Sequence, residues 1–328
     1  MEPGSTTSTH TGHMHRTAFI SHSDCGRHDT GWGHPEHVGR LVAIMRAVRN
    51  DFELFQQLEH VEGRHATVDE LSLVHDRGYV ESVRALCAAG GGRLDIDTVA
   101  SEGSWDAATA AVGCVLDAVD MAMDGRATRS FSGIRPPGHH AVRDRAMGFC
   151  IFGSVALGAH YARKVHRLQR VLIVDWDVHH GNGTQALVQD DPAIRFLSMH
   201  QWPFYPGTGA ASDHGPHGTV LNAPMAAGLD PMQYVETFER SFDTLTDDFQ
   251  PELILISAGF DCLAGDAIGG FTLEMAHIDR LTRFVTSRAD AACGGRVVSA
   301  LEGGYTPLRL AEAVVVHMRA LAGLPPAG

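Results

Sequence analysis

Apolar runs that end in Gly, Asp or His recur along this chain: TAFISH at 17–22, RSFSGIR at 129–135, VLIVDWDVHHG at 171–181, IRFLSMH at 194–200, ELILISAGFD at 252–261 and RVVSALEGGY at 296–305. Short apolar runs bounded by breakers predict strands buried on both faces, as in a parallel sheet. Helical patterns lie between them. GSWDAATAAVGCVLDAVDMAMDG at 103–125 is alanine-rich with apolar residues at helical spacing, and GSVALGAHYARKVH at 153–166 follows suit. So does DPMQYVETFERSFDTLTDDF at 230–249, which opens on an Asp cap and a proline. Strands alternating with helices predict an α/β fold, a central mostly parallel sheet with helices on both faces. Residues 16–328 read as one domain, since no second core, repeat or long linker interrupts them. Residues 1–15 are polar and Gly/Ser/Thr-rich and read as a flexible lead-in, its His10, His13 and His15 as tail residues instead of metal ligands.

Composition narrows the function classes. With 44% hydrophobic and 20% charged residues over 328 positions, a sizeable core is within reach. A formal charge of -13 argues against a phosphate-binding surface, so no nucleic-acid partner is expected. The six cysteines are widely spaced and form no CxxC pair, which reads as reduced thiols in a cytoplasmic protein. No run approaches the roughly 18 apolar residues of a membrane span, and the first residues lack the apolar stretch of a signal peptide. The 21 histidines are the unusual feature, because several cluster beside glycine and aspartate at predicted strand ends. In an open parallel sheet, ligands bind at the carboxyl ends of the strands.

Four segments carry candidate chemistry. In Asp175-Trp176-Asp177-Val178-His179-His180-Gly181, an extended backbone puts Asp175, Asp177 and His179 on one face, a pattern suited to a divalent metal. A catalytic zinc takes three protein ligands and leaves a position for water, so a third should come from another strand end. Asp261 is the natural candidate; Asp266 competes, although its GDAIGG setting reads more as loop. Arg135-Pro136-Pro137-Gly138 fixes a rigid turn that presents His139 and His140, suited to acid–base work near neutrality. In Glu302-Gly303-Gly304-Tyr305, the glycines allow close backbone approach and Tyr305 offers a phenol to a developing oxyanion.

RPPGHHA, DWDVHHGNGT, SAGFDCLAGDAIGG and EGGY, with HPEHVGRL (34–41), MGFCIF (147–152) and FYPGTG (204–209), together resemble the histone deacetylases of the arginase/deacetylase superfamily. The likeness runs from about residue 16 to residue 322 and is nearest to the class II-like and bacterial deacetylase-like amidohydrolases, because Asn182 stands where class I enzymes carry Asp. The resemblance implies a single-domain arginase/deacetylase-like fold and zinc ligands Asp177, His179 and Asp261. It makes His139 and His140 the tandem histidines, oriented by Asp175 and Asn182, with His140 the general base and acid and His139 chiefly electrostatic. Tyr305 would polarise the acyl carbonyl. Phe149 and Tyr205 match the aromatic pair of the acyl-lysine tunnel, with Gly148 and Gly303 beside the substrate. A structural potassium ion is implied at Asp175, the carbonyls of Asp177, His179 and Met199, and the Ser198 hydroxyl. Asp97 aligns only loosely with the substrate-backbone anchor of some relatives and is not assigned.

The implied activity is zinc-dependent hydrolysis of an acylated lysine or an acylated small amine, with a homo-oligomer among the assemblies open to the chain. Three other readings stay open. An acetylpolyamine amidohydrolase often carries a carboxylate at the pocket rim, where this chain has Ile268. A ureohydrolase would need further Asp and His ligands for two manganese ions. A catalytically silent acyl-lysine-binding module would typically lack a ligand or the tyrosine, and this chain keeps them all.

Overall fold

The apolar runs become a single sheet because their residues are buried almost throughout, the small polar ones within them (Ser130, Ser198, Ser257 and Ser299) included. The computed structural model describes residues 15–326. In chain order the first elements are β1 (Thr17–Ser21), α1 (Gly39–Asn50), α2 (Phe52–Gln57), β2 (Leu58–Glu62), α3 (Val68–Leu71), α4 (Arg77–Ala88), β3 (Gly91–Arg93) and β4 (Val99–Ser101). There follow α5 (Ser104–Asp124), β5 (Arg129–Ser132), α6 (Ser154–Lys164), β6 (Val171–Asp175), α7 (Asn182–Val188), β7 (Ile194–Gln201) and β8 (Val220–Met225). The chain ends with α8 (Pro231–Thr246), β9 (Leu253–Ala258), α9 (Met275–Cys293), β10 (Val297–Leu301) and α10 (Pro307–Leu321).

Eight strands form one sheet in the order β2-β1-β5-β10-β9-β6-β7-β8, every neighbouring pair parallel. β3 and β4 make a separate antiparallel hairpin. Every residue of β5, β6, β9 and β10 is buried, as expected for central strands of a parallel sheet covered on both sides. The alanine-rich α5 is buried almost all round and ends at Gly125 with φ 78°, a left-handed cap. Asp230 caps α8 by accepting from the Met232 amide, with Pro231 in the first turn.

The edge strands escaped the apolar-run criterion. β2 (LEHVE) has only Leu58 buried, and its exposed Glu59, His60 and Glu62 suit a sheet edge. β8 (VLNAPM) holds Asn222 and Pro224 at the other edge. α1, α4, α9 and α10 were not among the predicted helices either, although Ile278, Leu281, Val285 and Ala289 of α9 form a buried stripe at helical spacing. The predicted lead-in also needs one correction. His15 belongs to the fold: its Nδ1 bonds the Thr128 hydroxyl at 3.0 Å and its Nε2 lies 3.0 Å from Asp290. His10 and His13 lie outside the described residues. All six cysteines are free and buried, and no described helix is long and apolar enough to cross a membrane.

Candidate active site

The carboxyl ends of β5, β6, β9 and β10, the four central strands, bring the singled-out segments together. The extended-strand picture of Asp175, Asp177 and His179 does not hold, because β6 ends at Asp175 and the next residues bend. The bend is stabilised by its own carboxylates. The Asp177 amide donates to Asp175 Oδ1 at 3.1 Å, and the His179 amide donates to Asp177 Oδ1 at 2.9 Å. Asp261, beyond β9, accepts the Val178 amide on Oδ1 at 2.9 Å and so ties the two strand ends.

Asp177, His179 and Asp261 converge as expected. His179 Nδ1 lies 3.0 Å from Asp177 Oδ1 and 3.3 Å from Asp261 Oδ2, and all three side chains are buried. Asp261 Oδ2 has no hydrogen-bond partner. Burial and the neighbouring Asp177 push the Asp261 carboxyl up to about 7, whereas His179 is held at about 9, burial opposing and the two carboxylates raising it. Two buried carboxylates and an imidazole with an orphaned oxygen form a ligand set that a divalent cation neutralises. Gly303 belongs to this centre instead of the substrate wall. Its amide donates to Asp177 Oδ2 at 2.9 Å, and a Cβ there would sit 2.1 Å from Asp261 Oδ2.

The tandem histidines stand beside the ligands with ring centroids 4.0 Å apart. His139 Nδ1 faces Asp175 Oδ2 at 3.0 Å, and His140 Nδ1 faces Asn182 Oδ1 at 2.7 Å, the two partners expected. Burial opposes the charged form of both. For His139 the Asp177 and Asp175 carboxylates outweigh it and the pKa rises well above the ordinary value. His140 has an amide partner and positive neighbours in His139 and His179, so it falls well below. Two imidazoles with opposite tendencies can divide the roles of charged stabiliser and neutral base. His180 takes neither role: Thr208 and Gln185 hold its ring nitrogens at 2.8 and 2.9 Å.

Around this centre stands an aromatic wall. Tyr205 meets His140 edge-on at 5.1 Å, and Phe149 meets Tyr305 edge-on at 5.8 Å. Gly148 has φ 56°, and a Cβ there would lie 2.3 Å from the His140 ring. Phe149 also has a positive φ of 66°, unusual for a side-chain-bearing residue. The hairpin tip holds both in place: Asp97 Oδ1 accepts the Gly148 amide at 3.1 Å and Thr98 Oγ1 the Phe149 amide at 3.0 Å. Asp97, left unassigned from sequence, thus supports the wall. Asp266 is loop structure, accepting the Tyr305 amide at 2.7 Å and the Ile268 amide at 3.0 Å. Asp175 and Ser198 are register partners on β6 and β7, with Met199 next along β7, while the Ser198 hydroxyl bonds His200 Nδ1 at 3.0 Å.

Sequence reading missed the supports. Phe204 stacks on the His179 ring at 5.1 Å and 15°. Glu302 Oε2 accepts the Gly138 and His139 amides at 2.6 and 3.1 Å, so the EGGY loop holds the histidine loop. Beneath them lies a fully buried Arg40–Glu36–Arg135 cluster. Arg40 donates to the Gly304 carbonyl at 2.7 Å and to that of Glu302, and its guanidinium lies 4.9 Å from the Tyr305 ring centre. Arg135 donates to Glu36 Oε2 at 2.7 Å and to the His28 carbonyl at 3.1 Å. Burial alone would raise the Glu36 pKa, yet the two guanidiniums bring it down to about 2. The quoted HPEHVGRL and RPPGHH motifs contain all three residues, but their pairing is long-range and has no local signature.

Residues 34–321 match the family described as "Histone deacetylase domain". The chain is 40% identical over 309 residues to an uncharacterized protein of Synechocystis, covering 93% of this chain and 99% of that one. It is 37% identical over 311 residues to Histone deacetylase 14, chloroplastic, of Arabidopsis thaliana (88% and 73% covered). Human Histone deacetylase 9 is 35% identical over 360 residues, which cover 98% of this chain but only 34% of that protein. Among solved structures, the HDA15 HD domain superposes with a TM-score of 0.89 at 31% identity, covering 96% of this chain and 91% of that one.

Proposed function

Because the chain belongs to the histone deacetylase family, we propose that it hydrolyses the amide bond of an acylated amine, with N-acetyl-lysine as the substrate class and zinc held by Asp177, His179 and Asp261. The observation that carries this reading is the convergence of those three buried side chains around an Asp261 oxygen that makes no hydrogen bond. When bound, zinc supplies Lewis acidity to the acyl oxygen and to the attacking water.

The chain's own residues then have definable work. His140, neutral and oriented through Nδ1 by Asn182, accepts the water proton at Nε2 and returns it to the leaving amine. His139, whose pKa the Asp177 and Asp175 carboxylates raise, stabilises the negative charge that builds at the carbonyl. The Tyr305 phenol donates a hydrogen bond to that oxygen. Phe149 and Tyr205 flank the acyl-lysine stem, and Gly148 lets the wall close against His140. A potassium ion at Asp175, the Ser198 hydroxyl and the carbonyls of Asp177, His179 and Met199 would offset the buried Asp175 charge. Cytoplasmic residence is part of the proposal, although the Arabidopsis relative is named chloroplastic.

The test compares turnover of an acetyl-lysine peptide and of acetylputrescine by the purified protein, before and after chelation and after zinc is restored. Peptide turnover that chelation abolishes and zinc recovers is expected. Preference for acetylputrescine moves the substrate class to polyamines. Chelator-insensitive turnover, or none on any acyl amine at full zinc occupancy, overturns the reading.

A further inference from the structure

A second ligand set lies away from the catalytic centre. His22 and Asp24 follow β1, and His65 lies in the loop between β2 and α3. One ligand atom from each of the three lies within 4.8 Å of the other two. β1 stands three sheet positions from β9, about 14 Å across the strands.

Hydrogen bonding shows why this is more than three polar neighbours. With its proton on the Trp105 carbonyl, at 2.9 Å, the Thr109 hydroxyl is free to accept from His65 Nδ1, also at 2.9 Å. That pairing suits the Nδ1–H tautomer and leaves Nε2 as the ligating atom. His65 Nε2 faces Asp24 Oδ2 at 3.1 Å. In this arrangement an imidazole lone pair and a carboxylate oxygen face each other, the donor pair that a metal ion bridges. His22 brings its own Nδ1 to 3.8 Å from the same oxygen, and its ring lies 4.6 Å from that of His65. Arg27 is on the other Asp24 oxygen, at 3.6 Å, which leaves Oδ2 to the imidazoles. Ligands about 2.1 Å from a tetrahedral ion stand about 3.4 Å apart, and 3.1 and 3.8 Å bracket that spacing.

We propose that His22, Asp24 and His65 bind a second divalent cation of the zinc class, with water completing its coordination. His22 Nδ1 exchanges the hydrogen bond it accepts from the Asp24 amide for the metal. The ion joins the end of β1 to the loop before α3 and tightens the turn Ser23–Arg27. That turn matters to the reaction centre, because the Cys25 carbonyl within it and the His28 carbonyl just after it accept from Arg135, at the start of the tandem-histidine turn. The site is structural and does not depend on the reaction proposed above.

Metal content after equilibrium dialysis against micromolar zinc tests it. A His10→Ala/His13→Ala background removes binding by the N-terminal histidines. That background protein should hold two zinc ions per chain. Asp24→Asn and His65→Gln, which keep side-chain size and the contacts to the Asp24 amide and to Thr109, should each hold one and lose a zinc-induced rise in Tm on the order of 5 °C. Asp261→Asn should also hold one, and Asp24→Asn/Asp261→Asn none. Circular dichroism confirms folding of each variant. One zinc in the background protein, or two in Asp24→Asn and His65→Gln, overturns the proposal and leaves His65 as a hydrogen-bonding neighbour of Asp24.

Discussion

Replacing Tyr305 by Phe deletes one oxygen from a ring that the structure otherwise holds in place. The ring is 8% exposed, with Phe149 edge-on at 5.8 Å on one side and the Arg40 guanidinium 4.9 Å from its centre. Its backbone amide is fixed by Asp266, and its hydroxyl makes no hydrogen bond to another described residue. Removing that hydroxyl therefore breaks no contact within the folded chain. The Tm should stay within about 2 °C, the shift of roughly half a kcal/mol in a chain of this size. Turnover should behave differently, because the phenol is placed to donate only as charge builds on the acyl oxygen. Loss of one such donor costs about 2.7–4 kcal/mol in the transition state, so kcat should fall roughly 100- to 1000-fold with little change in KM. Steady-state kinetics on an acetyl-lysine peptide at saturating zinc, with thermal melts of both proteins, would measure this. Parental kcat, or a fall matched by a large loss of Tm, would refute the assignment of Tyr305 to the oxyanion.

Three further outcomes follow from the same geometry. Gly303→Ala places a methyl 2.1 Å from Asp261 Oδ2 and 2.5 Å from Asp177 Oδ2. It should weaken zinc retention at least 10-fold in a chelator competition, and retention equal to the parent would contradict the crowding argument. Asn182→Asp gives His140 a carboxylate partner in place of an amide. The carboxylate favours the protonated ring, so the acidic limb of the pH–rate profile should move up by about one unit; an unmoved limb would remove His140 as the base. Acid should unfold the protein early, since burial holds His28 and His75 down to about 4 and His317 to about 3. The unfolded chain takes up these protons below about pH 6.5 while the folded chain does so only near those lower values. Stability is therefore unaffected by these groups above pH 6.5 and falls below it, by as much as about 4 kcal/mol per pH unit when all three contribute. Denaturant melts between pH 4.5 and 7 should show the midpoint dropping with pH, and a flat midpoint would be inconsistent with these buried neutral rings.

Much of this molecule was legible along the chain. A parallel strand buried on both faces is mostly apolar, so β6, β9 and β10 announced themselves, and the candidate site residues followed immediately at their ends. The Pro-Pro-Gly turn, the paired histidines and the Gly-Gly-Tyr segment were equally local. The face-sharing argument for Asp175, Asp177 and His179 assigned the ligands through a strand that stops two residues too early. Side chains two apart stayed together because amide-to-carboxylate bonds curl the bend around Asp177. Edge strands β2 and β8 were invisible to the same criterion, since one side of an edge needs no apolar partner.

What tertiary structure alone decided is the set of long-range electrostatic contacts. No local pattern says that Glu36 lies between Arg40 and Arg135, that Glu302 holds the histidine loop, or that Gly303 slots beneath two carboxylates. Hydrophobic periodicity encodes which face of an element is buried. A buried charge has no such period, and its partner is whichever group the fold brings within about 3 Å. For this chain the residue types at the strand ends were written locally, while their pairing and the direction of their pKa shifts were decided by the order β2-β1-β5-β10-β9-β6-β7-β8.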